Sequence, residues 1–329
     1  MITKSELLRD REALFDKVYG ALSGIAIGDS LGDAARKADF RANYQVVTDF
    51  TKGASWSTDD TEFALLTAKT IIRCRGKITA EECLKSWMED VVTQDEYKRG
   101  GASEIEAAAN LRKGLLPPFS GRYNTGHLSD GSAMRIGPIG ILCAGDPEKA
   151  MELARIESEI SHDQDGIWGA QAVAAAVAVA MVDADMDEII GAAMKAIPEG
   201  SWLYHNMNGA FEILSRRGNL LEAWMELHDY LWTSSWATTA EAIPSAFVCL
   251  KAVHESFRTG VTVAGNFGRD ADTIGAVAGV ILGAKYGAKG IPSAWIDKTR
   301  FPTGTCLAFA KGVDIRDYAQ QMTDIILEN

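Results

Sequence analysis

"YGALSGIAIGDSLGDAAR" (residues 19–36) carries a glycine at every fourth position, at Gly20, Gly24, Gly28 and Gly32. In an α-helix this spacing places all four glycines on one face. Each interior glycine costs about 1 kcal/mol relative to alanine, so the repeat requires a compensating interaction. We predict that this face packs closely against another backbone at the centre of a helical bundle.

A second stretch, "TIGAVAGVILGAKYGA" (273–288), repeats the spacing at Gly275, Gly279, Gly283 and Gly287. A dimer of membrane helices is the alternative interpretation, because small residues at this spacing also pack transmembrane helices. Both segments are too short and too charged at their ends for that. The longest apolar run, at 172–182, has 11 residues, about half of what a bilayer span needs. We therefore expect a buried helix there and no contact with a membrane.

The rest of the chain predicts an all-α fold. Apolar residues recur at helical spacing over segments at 14–32, 60–75, 80–92, 103–113, 147–160, 166–183, 187–196, 207–217, 220–232, 239–258 and 272–287. Alternating β-branched runs are nearly absent. The region 115–138 is irregular and rich in Gly, Pro, Asn and Ser, and a loop of that length inside a helical domain is usually functional. No linker interrupts the pattern, so we expect one domain over 1–329.

Composition argues against several classes of function. The formal net charge is -12, and no Lys/Arg cluster exceeds two or three residues, which argues against a nucleic-acid partner. The five cysteines are scattered and never form CxxC, so neither a disulfide framework nor a thiolate zinc site is expected. The N-terminal residues are charged and lack an apolar signal core. A cytoplasmic protein is the prediction.

Two acidic stretches, "STDDTEFALL" (57–66) and "RDADTIGAVAG" (269–279), both open apolar helices. Taken singly, each reads as a helix start, with the acids favoured by the positive end of the helix dipole. Taken together, they place carboxylates and threonine hydroxyls on helices too apolar for the surface, where burial requires a cation or hydrogen bonds. If the two stretches meet, their oxygen donors suit Mg²⁺ or Mn²⁺, and the charge count favours two ions.

These motifs resemble those of the ADP-ribosylglycohydrolase family. The matching segments follow one another as 20–36, "WSTDDTEFAL" (56–65), 100–114, "DGSAMRIGPIG" (130–140), "SH" (161–162) and 265–287. The resemblance implies an all-α orthogonal bundle with a dinuclear Mg²⁺ or Mn²⁺ centre at the bottom of a cleft. The metal ligands it implies are Thr58, Asp59, Asp60, Asp270, Asp272 and Thr273. Asp59 and Asp60 are also the candidates for water activation, a role that the sequence does not divide between them.

The resemblance implies a substrate-binding segment as well. It consists of Gly131, Ser132, Ala133, Met134 and Arg135. This segment would wrap a diphosphate through its backbone N–H groups, since small residues let the main chain approach phosphate oxygens. A plain Gly/Ser turn is the alternative. His162 stands where the family often has a histidine near ADP-ribose, although a lone histidine is more often structural.

Two positions depart from the family pattern. Many members have a glutamate where this chain has Arg36, and Asp33, three residues earlier on the same helix face, could partly replace that carboxylate. Arg269 stands within the run that is usually GGDxDT. We expect both arginines, with Asp33, to contact substrate and to alter the choice of linkage. The alternative is that both arginines are solvated.

The predicted function is metal-dependent hydrolysis of the glycosidic bond between ADP-ribose and an acceptor, either a protein side chain or a small molecule. Chelation of the ribose hydroxyls would fix the sugar, and a water of lowered pKa would attack the anomeric carbon. One alternative is a dinuclear-metal phosphohydrolase acting on a nucleotide. Another is a non-catalytic member that binds ADP-ribose or has a structural role.

Overall fold

The computed structural model describes residues 2–37, 45–50 and 57–329, and Trp56 of the quoted motif lies outside them. The described part contains eighteen α-helices and two short 3₁₀ segments, and its one β-bridge, Ser129–Thr238, is isolated. The prediction of an all-α fold is therefore confirmed. The helices are α1 Lys4–Arg9, α2 Arg11–Arg36, α3 Asp59–Arg73, α4 Ala80–Asp90, α5 Ala102–Arg112, α6 Phe119–Arg122, α7 Gly131–Arg135, α8 Gly137–Leu142, α9 Pro147–Ser158, α10 Asp165–Ala180, α11 Met186–Lys195, α12 Trp202–Arg217, α13 Leu220–Leu231, α14 Thr239–Ala252, α15 Phe257–Gly265, α16 Ala271–Tyr286, α17 Ser293–Thr299 and α18 Ile315–Glu328.

The two glycine-striped helices, α2 and α16, pack against each other in antiparallel fashion at the centre of the molecule. A Cβ added to Gly24 would lie 2.0 Å from the carbonyl oxygen of Gly279, and one added to Gly28 would lie 1.9 Å from that of Gly275. Such contacts are far shorter than any side chain tolerates, so each glycine is required by the close approach of the partner backbone. The predicted close packing is confirmed.

The Ala-rich helix α10 is buried along most of its length and packs against α8, α9, α11 and α16. A helix that is apolar on all sides belongs in the interior. None of the helices in the described part of the chain is both long and apolar enough to cross a bilayer.

The predicted helix at 239–258 is wrong in one respect. Helix α14 ends at Ala252, and a new helix, α15, begins at Phe257. The side chain of Ser256 accepts a hydrogen bond from the backbone N–H of Thr259, which is an N-cap that the apolar spacing alone does not reveal. The C-terminal helices α17 and α18 were also not predicted. Within the irregular region, the structure forms short helices α6 and α7.

The C-terminal segment is anchored beside the start of α3 by Glu62. The Glu62 carboxylate is fully buried, and it accepts hydrogen bonds from the backbone N–H groups of Thr305 (3.0 Å), Cys306 (2.9 Å) and Leu307 (2.7 Å). The hydroxyl of Ser57 donates a further bond at 2.5 Å. These bonds fix the N-terminal end of α3, where the Thr58–Thr61 motif lies.

Candidate metal centre and substrate pocket

Antiparallel packing brings the C-terminal end of α2 to the N-terminal end of α16, and the N-terminal end of α3 meets both. Between them lies a pocket of about 350 Å³. Helices α5 and α7 complete its walls. Its lining residues are Arg36, Thr58, Asp59, Asp60, Arg99, Gly100, Gly101, Ala102, Ser103, Glu104, Ser129, Asp130, Gly131, Met134, Trp236, Asp270, Asp272 and Thr273. The two acidic stretches therefore meet in one pocket.

The centre of this pocket is a group of buried carboxylates. Oxygen atoms of Asp29, Asp60 and Asp272 lie within 4.8 Å of one another, and all three residues are at most 2% exposed. Asp60 Oδ1 has no hydrogen-bond partner among the described residues. A buried carboxylate oxygen without a partner is energetically costly unless a cation or a bound ligand completes it.

Asp29 has a different role from Asp60. Its carboxylate accepts hydrogen bonds from the Oγ1 atoms of Thr58 (2.6 Å) and Thr61 (2.5 Å) and from both of their backbone N–H groups (2.9 and 3.2 Å). Four donors satisfy its oxygens. We infer that Asp29 acts from α2 to hold the N-terminal end of α3, and so it positions Asp59 and Asp60.

Burial and mutual repulsion favour the protonated forms of these carboxyl groups. Burial raises the pKa of Asp29 to about 6, and the charge of Asp272 adds to this shift. Burial also raises the pKa of Asp59 and Asp60 well above the usual range, again with repulsion from Asp272. Asp130 has its pKa raised by burial to about 7. Ionised together, these groups require a positive charge at the centre of the cluster.

Arg36 supplies one such charge. Its Nη1 lies 2.6 Å from Asp270 Oδ1, and its Nη2 lies 2.5 Å from Asp272 Oδ2. The guanidinium also lies 5.1 Å from the ring centroid of Trp236, at the mouth of the pocket. Its side chain is 24% exposed. The structure thus places Arg36 inside the site and not on a solvated surface.

Asp33 lies beside the cluster but faces other partners. Its oxygens bind Arg99 and Lys37, and Arg36 approaches to 3.8 Å. These basic neighbours balance the negative charge of Asp33. Asp33 does not belong to the Asp29–Asp60–Asp272 group. Its predicted replacement of the family glutamate stays a prediction.

Arg269 is directed away from the pocket. Its Nε binds Glu241 Oε1 at 2.5 Å, and its Nη2 binds the carbonyl oxygen of Thr233 at 2.6 Å. Glu241 in turn accepts the backbone N–H of Thr233 at 2.9 Å. The backbone φ of Arg269 is 56°, a left-handed conformation that costs a residue other than glycine about 1–3 kcal/mol. The network offsets this cost and fixes the loop that carries Trp236.

The Gly131–Arg135 segment is a helix whose residues divide into two groups. Gly131 and Met134 line the pocket, whereas Ser132, Ala133 and Arg135 are buried behind it. The Ser132 hydroxyl donates to the carbonyl oxygen of Gly166 at 2.6 Å. The contact of this segment with a diphosphate stays a prediction, and Gly131 and Met134 are its residues that line the pocket.

Arg135 forms a buried ion network. Its guanidinium is fully enclosed and binds Glu104 Oε1 at 3.1 Å and Glu157 Oε1 at 2.8 Å. Its Nη2 donates to Ser161 Oγ at 2.8 Å. Because Glu104 also lines the pocket, Arg135 positions a pocket carboxylate and does not itself face the pocket.

His162 contacts the pocket lining through the side chain of Ser129. It is buried, and its Nε2 lies 2.9 Å from Ser129 Oγ, which lines the pocket. Burial and the charge of Arg135 lower the pKa of His162 well below its usual value, so the ring is neutral. The structure places it behind the pocket wall, as a support for Ser129.

Several pocket residues were not predicted from the sequence. They are Asp29, Glu104, Asp130 and Trp236. Asp29 stands directly after a stripe glycine, so its helix position could have placed it near α16. Asp130 directly precedes the GSAMR segment. Trp236 carries no local signal, since it depends on the loop between α13 and α14.

A second, larger groove of about 690 Å³ lies away from this cluster, between Phe211, Trp224 and Val263. It is lined mainly by apolar side chains, and Lys251 is the one charged group on its described lining. Without an assembly of ionisable groups, this groove offers no acid–base or metal chemistry. The carboxylate pocket is the candidate functional site.

The donor set of this pocket fits a hard divalent cation. It consists of carboxylate and hydroxyl oxygens from Thr58, Asp59, Asp60, Asp272 and Thr273, which are the ligand types that Mg²⁺ and Mn²⁺ prefer. The unpartnered Oδ1 of Asp60 provides an open ligand atom. No cysteine or histidine lines the pocket in the described residues, which disfavours zinc.

Comparisons with known proteins agree with the fold and the motifs. The family model described as ADP-ribosylglycohydrolase matches residues 10–327. The chain is 25% identical over 300 residues to the ADP-ribosylarginine hydrolase Tri1 of Pseudomonas putida (strain GB-1), covering 87% of this chain and 75% of that protein. It is 24% identical over 304 residues to the ADP-ribosyl-[dinitrogen reductase] glycohydrolase of Rhodospirillum rubrum, covering 87% and 91%. A solved structure titled ADP-ribosylglycohydrolase-related protein complex aligns with a TM-score of 0.66 at 20% identity, covering 96% of this chain and 99% of the other.

Proposed function

This chain belongs to the ADP-ribosylglycohydrolase family, and on that premise we propose that it hydrolyses the glycosidic bond between ADP-ribose and an acceptor with the help of Mg²⁺ or Mn²⁺. The acceptor is an ADP-ribosylated protein side chain or a small ADP-ribosylated molecule. One observation carries the proposal: an unpartnered, buried oxygen of Asp60 faces a pocket of acidic side chains. Such a site is costly to maintain unless a cation binds there.

Thr58, Asp59, Asp60, Asp272 and Thr273 are the residues that would hold the cation. When bound, Mg²⁺ or Mn²⁺ supplies Lewis-acid charge that orders the ribose hydroxyls and lowers the pKa of a water. Asp29 keeps the threonine hydroxyls oriented through its bonds to Thr58 and Thr61. The α3 end of the pocket is thus preorganised for an oxygen-rich ligand shell.

Asp59 is the proposed general base. Within the carboxylate cluster it is the group with partial exposure, whereas Asp60 and Asp272 are each 2% exposed. A water oxygen forms a bond to the anomeric carbon, and the bond from that carbon to the acceptor breaks with its electron pair on the acceptor. The water proton passes to Asp59. In its ionised form the Asp59 carboxylate can accept this proton.

The walls of the pocket suggest how the rest of ADP-ribose is held. The main chain at Gly131 lines the side of the pocket where the resemblance places the diphosphate, and a side chain at this position would displace the Glu104 carboxylate, since its Cβ would lie 2.2 Å from Glu104 Oε1. We assign the diphosphate to this side. Trp236 is 52% exposed at the mouth and offers an aromatic face for a base or for an acceptor group.

The test is a product assay on arginine-, serine- and nucleobase-linked ADP-ribose, with Mg²⁺, with Mn²⁺ and with EDTA. We expect free ADP-ribose from at least one linkage, with dependence on the cation. Asp59→Asn should lower kcat by at least a hundredfold, because a general base contributes about 10²–10⁴-fold. Asp187→Asn, the same change at an exposed carboxylate, is the matched control. Release of inorganic phosphate from nucleotides in place of ADP-ribose would identify a phosphohydrolase instead.

A second function is favoured by one observation, the pairing of Arg36 with Asp270 and Asp272. An arginine among the predicted metal ligands is also compatible with a member that binds ADP-ribose without cleaving it. In that case ADP-ribose binds in calorimetry while no linkage is hydrolysed.

The predicted cytoplasmic location and the single-domain organisation over 1–329 stay predictions.

A further inference from the structure

The guanidinium of Arg36 occupies the α16 side of the carboxylate cluster. Both of its terminal nitrogens are engaged there, with Asp270 Oδ1 at 2.6 Å and Asp272 Oδ2 at 2.5 Å. Asp270 and Asp272 are two of the residues that the family resemblance predicts as metal ligands. A cation bound between them would have to displace the arginine.

We propose that the Arg36 guanidinium takes the place of one of the two cations that the resemblance implies, so that this chain binds a single divalent cation on the α3 side of the pocket. Of the donors named above, Thr58, Asp59 and Asp60 hold that ion, because Arg36 already engages Asp272, which precedes Thr273. The inference rests on the proposed function, which requires that an ion binds in this pocket. It adds how many ions bind and which residue sets that number.

The helix geometry supports this assignment. Arg36 is the next position of the glycine stripe, four residues after Gly32, and therefore lies on the face of α2 that packs against α16. A Cβ at Gly32 would lie 2.0 Å from the carbonyl oxygen of Ala271. The backbones are so close at this end that the Arg36 side chain is directed at the first turn of α16. Its position is determined by the central helix pair and not by a flexible loop.

The charges lead to the same conclusion. Asp270 and Asp272 are almost fully buried, with side chains 8% and 3% exposed, and Arg36 is the basic group that contacts both. Trp236 covers the guanidinium from the solvent side at 5.1 Å. On the α3 side, by contrast, Asp60 Oδ1 lacks a partner among the described residues. The two halves of the cluster therefore differ: one guanidinium already bridges Asp270 and Asp272, whereas Asp60 Oδ1, like Oδ2 of the neighbouring Asp130, has no partner in the described part of the chain.

The direct test is the stoichiometry of Mn²⁺ binding to the purified full-length protein. Isothermal titration and electron paramagnetic resonance together count the ions and show whether they are magnetically coupled, as two adjacent ions in one site are. We expect one uncoupled Mn²⁺ per wild-type chain. Two coupled ions per chain would overturn this inference and leave the proposed function intact. No bound Mn²⁺ at millimolar concentration would overturn both.

Variants at Arg36 test whether this residue excludes the second ion. Arg36→Glu restores the residue type that the family often has, and we expect two coupled Mn²⁺ ions per chain. One ion in a folded Arg36→Glu protein would show that Arg36 does not exclude the second. Arg36→Gln removes the charge without adding a carboxylate, and it should tighten the binding of the first ion by about tenfold or more. Unchanged affinity in Arg36→Gln would contradict the proposal even if Arg36→Glu fails to fold.

Arg99 provides the matched control. It lines the same pocket, but it binds Asp33, outside the Asp29–Asp60–Asp272 group. Arg99→Glu and Arg99→Gln therefore make the same changes in charge at the same rim. We expect both to keep one Mn²⁺ per chain, with affinity within about threefold of wild type. A second ion in Arg99→Glu would attribute the stoichiometry to net charge and overturn the role of Arg36.

Discussion

Gly28→Ala is the sharpest test of how the central helix pair builds the site. The added Cβ would lie 1.9 Å from the carbonyl oxygen of Gly275, about 1.5 Å short of an ordinary contact. The Cβ is fixed in position by the α2 backbone and the oxygen belongs to the α16 backbone, so no rotamer change relieves the clash and the helices must separate. Overpacking of a core costs about 1–3 kcal/mol, and this rigid contact places the cost at the upper end or above. A gain of about 1 kcal/mol in helix propensity offsets part of it.

We therefore expect Gly28→Ala to lower the free energy of unfolding by at least about 2 kcal/mol. The matched control is Gly191→Ala in α11, where an added Cβ meets nothing within 4 Å. That change should raise stability by up to about 1 kcal/mol. Urea unfolding followed by far-UV circular dichroism measures both.

The same substitution should weaken Mn²⁺ binding. Asp29 follows Gly28 on α2, and Asp272 lies three residues before Gly275 on α16, so separation of the helices pulls the carboxylates apart. We expect at least a tenfold loss of affinity in Gly28→Ala and no change in Gly191→Ala. Equal stability of the two variants, or wild-type Mn²⁺ affinity in Gly28→Ala, would refute the link between the glycine stripes and the site.

Three further outcomes can be measured. Asp60→Asn should abolish Mn²⁺ binding in calorimetry while circular dichroism stays helical, because it removes the negative charge and replaces one carboxylate oxygen with an amide nitrogen; retained binding would exclude Asp60 as a ligand. Trp236→Ala should raise KM by about three- to tenfold, because a stacking surface for the substrate is lost. Trp232 lies outside the pocket lining, so Trp232→Ala should leave KM unchanged. Equal effects of the two substitutions on KM would count against a stacking role for Trp236. The raised pKa values of Asp29 (about 6) and Asp130 (about 7) mean that the folded, metal-free state binds more protons than the unfolded state above the ordinary value of 3.8. Its stability in urea should therefore fall as pH rises from about 4 to about 7, and saturating Mn²⁺ should reduce that fall; stability that rises over this window in EDTA would contradict the burial of these groups.

Much of the fold was accessible from the sequence because its signal is steric. A glycine repeated every fourth residue has few explanations, and the structure places Gly24 against Gly279 as close packing requires. The break between α14 and α15 was missed because the apolar spacing continues across it. There the competing signal is a local one, the N-cap of Ser256.

The site was predicted less completely than the fold. The meeting of Asp60 with Asp272 could be anticipated, since each opens a helix too apolar for the surface. Glu104 could not, because its burial beside the pocket depends on the ion pair with Arg135, a contact between residues 31 positions apart. The fully buried Arg135 illustrates the same limit: an arginine in a substrate-binding motif faces the protein interior.

The number of cations expected at the site depends on two features of the sequence: its acidic motifs and its departures from the family pattern. Counting only carboxylates favours two divalent cations. The glycine stripe, however, extends by one more step of four residues from Gly32 to Arg36, so the face that packs against α16 ends in a guanidinium. Once the stripes pair in antiparallel fashion, that guanidinium must reach the start of α16, where Asp270 and Asp272 lie. Arg269 also departs from the family pattern but lies on no stripe, and its guanidinium binds Glu241 instead. Helix register therefore distinguishes the substitution that changes the site from the one that supports a neighbouring loop.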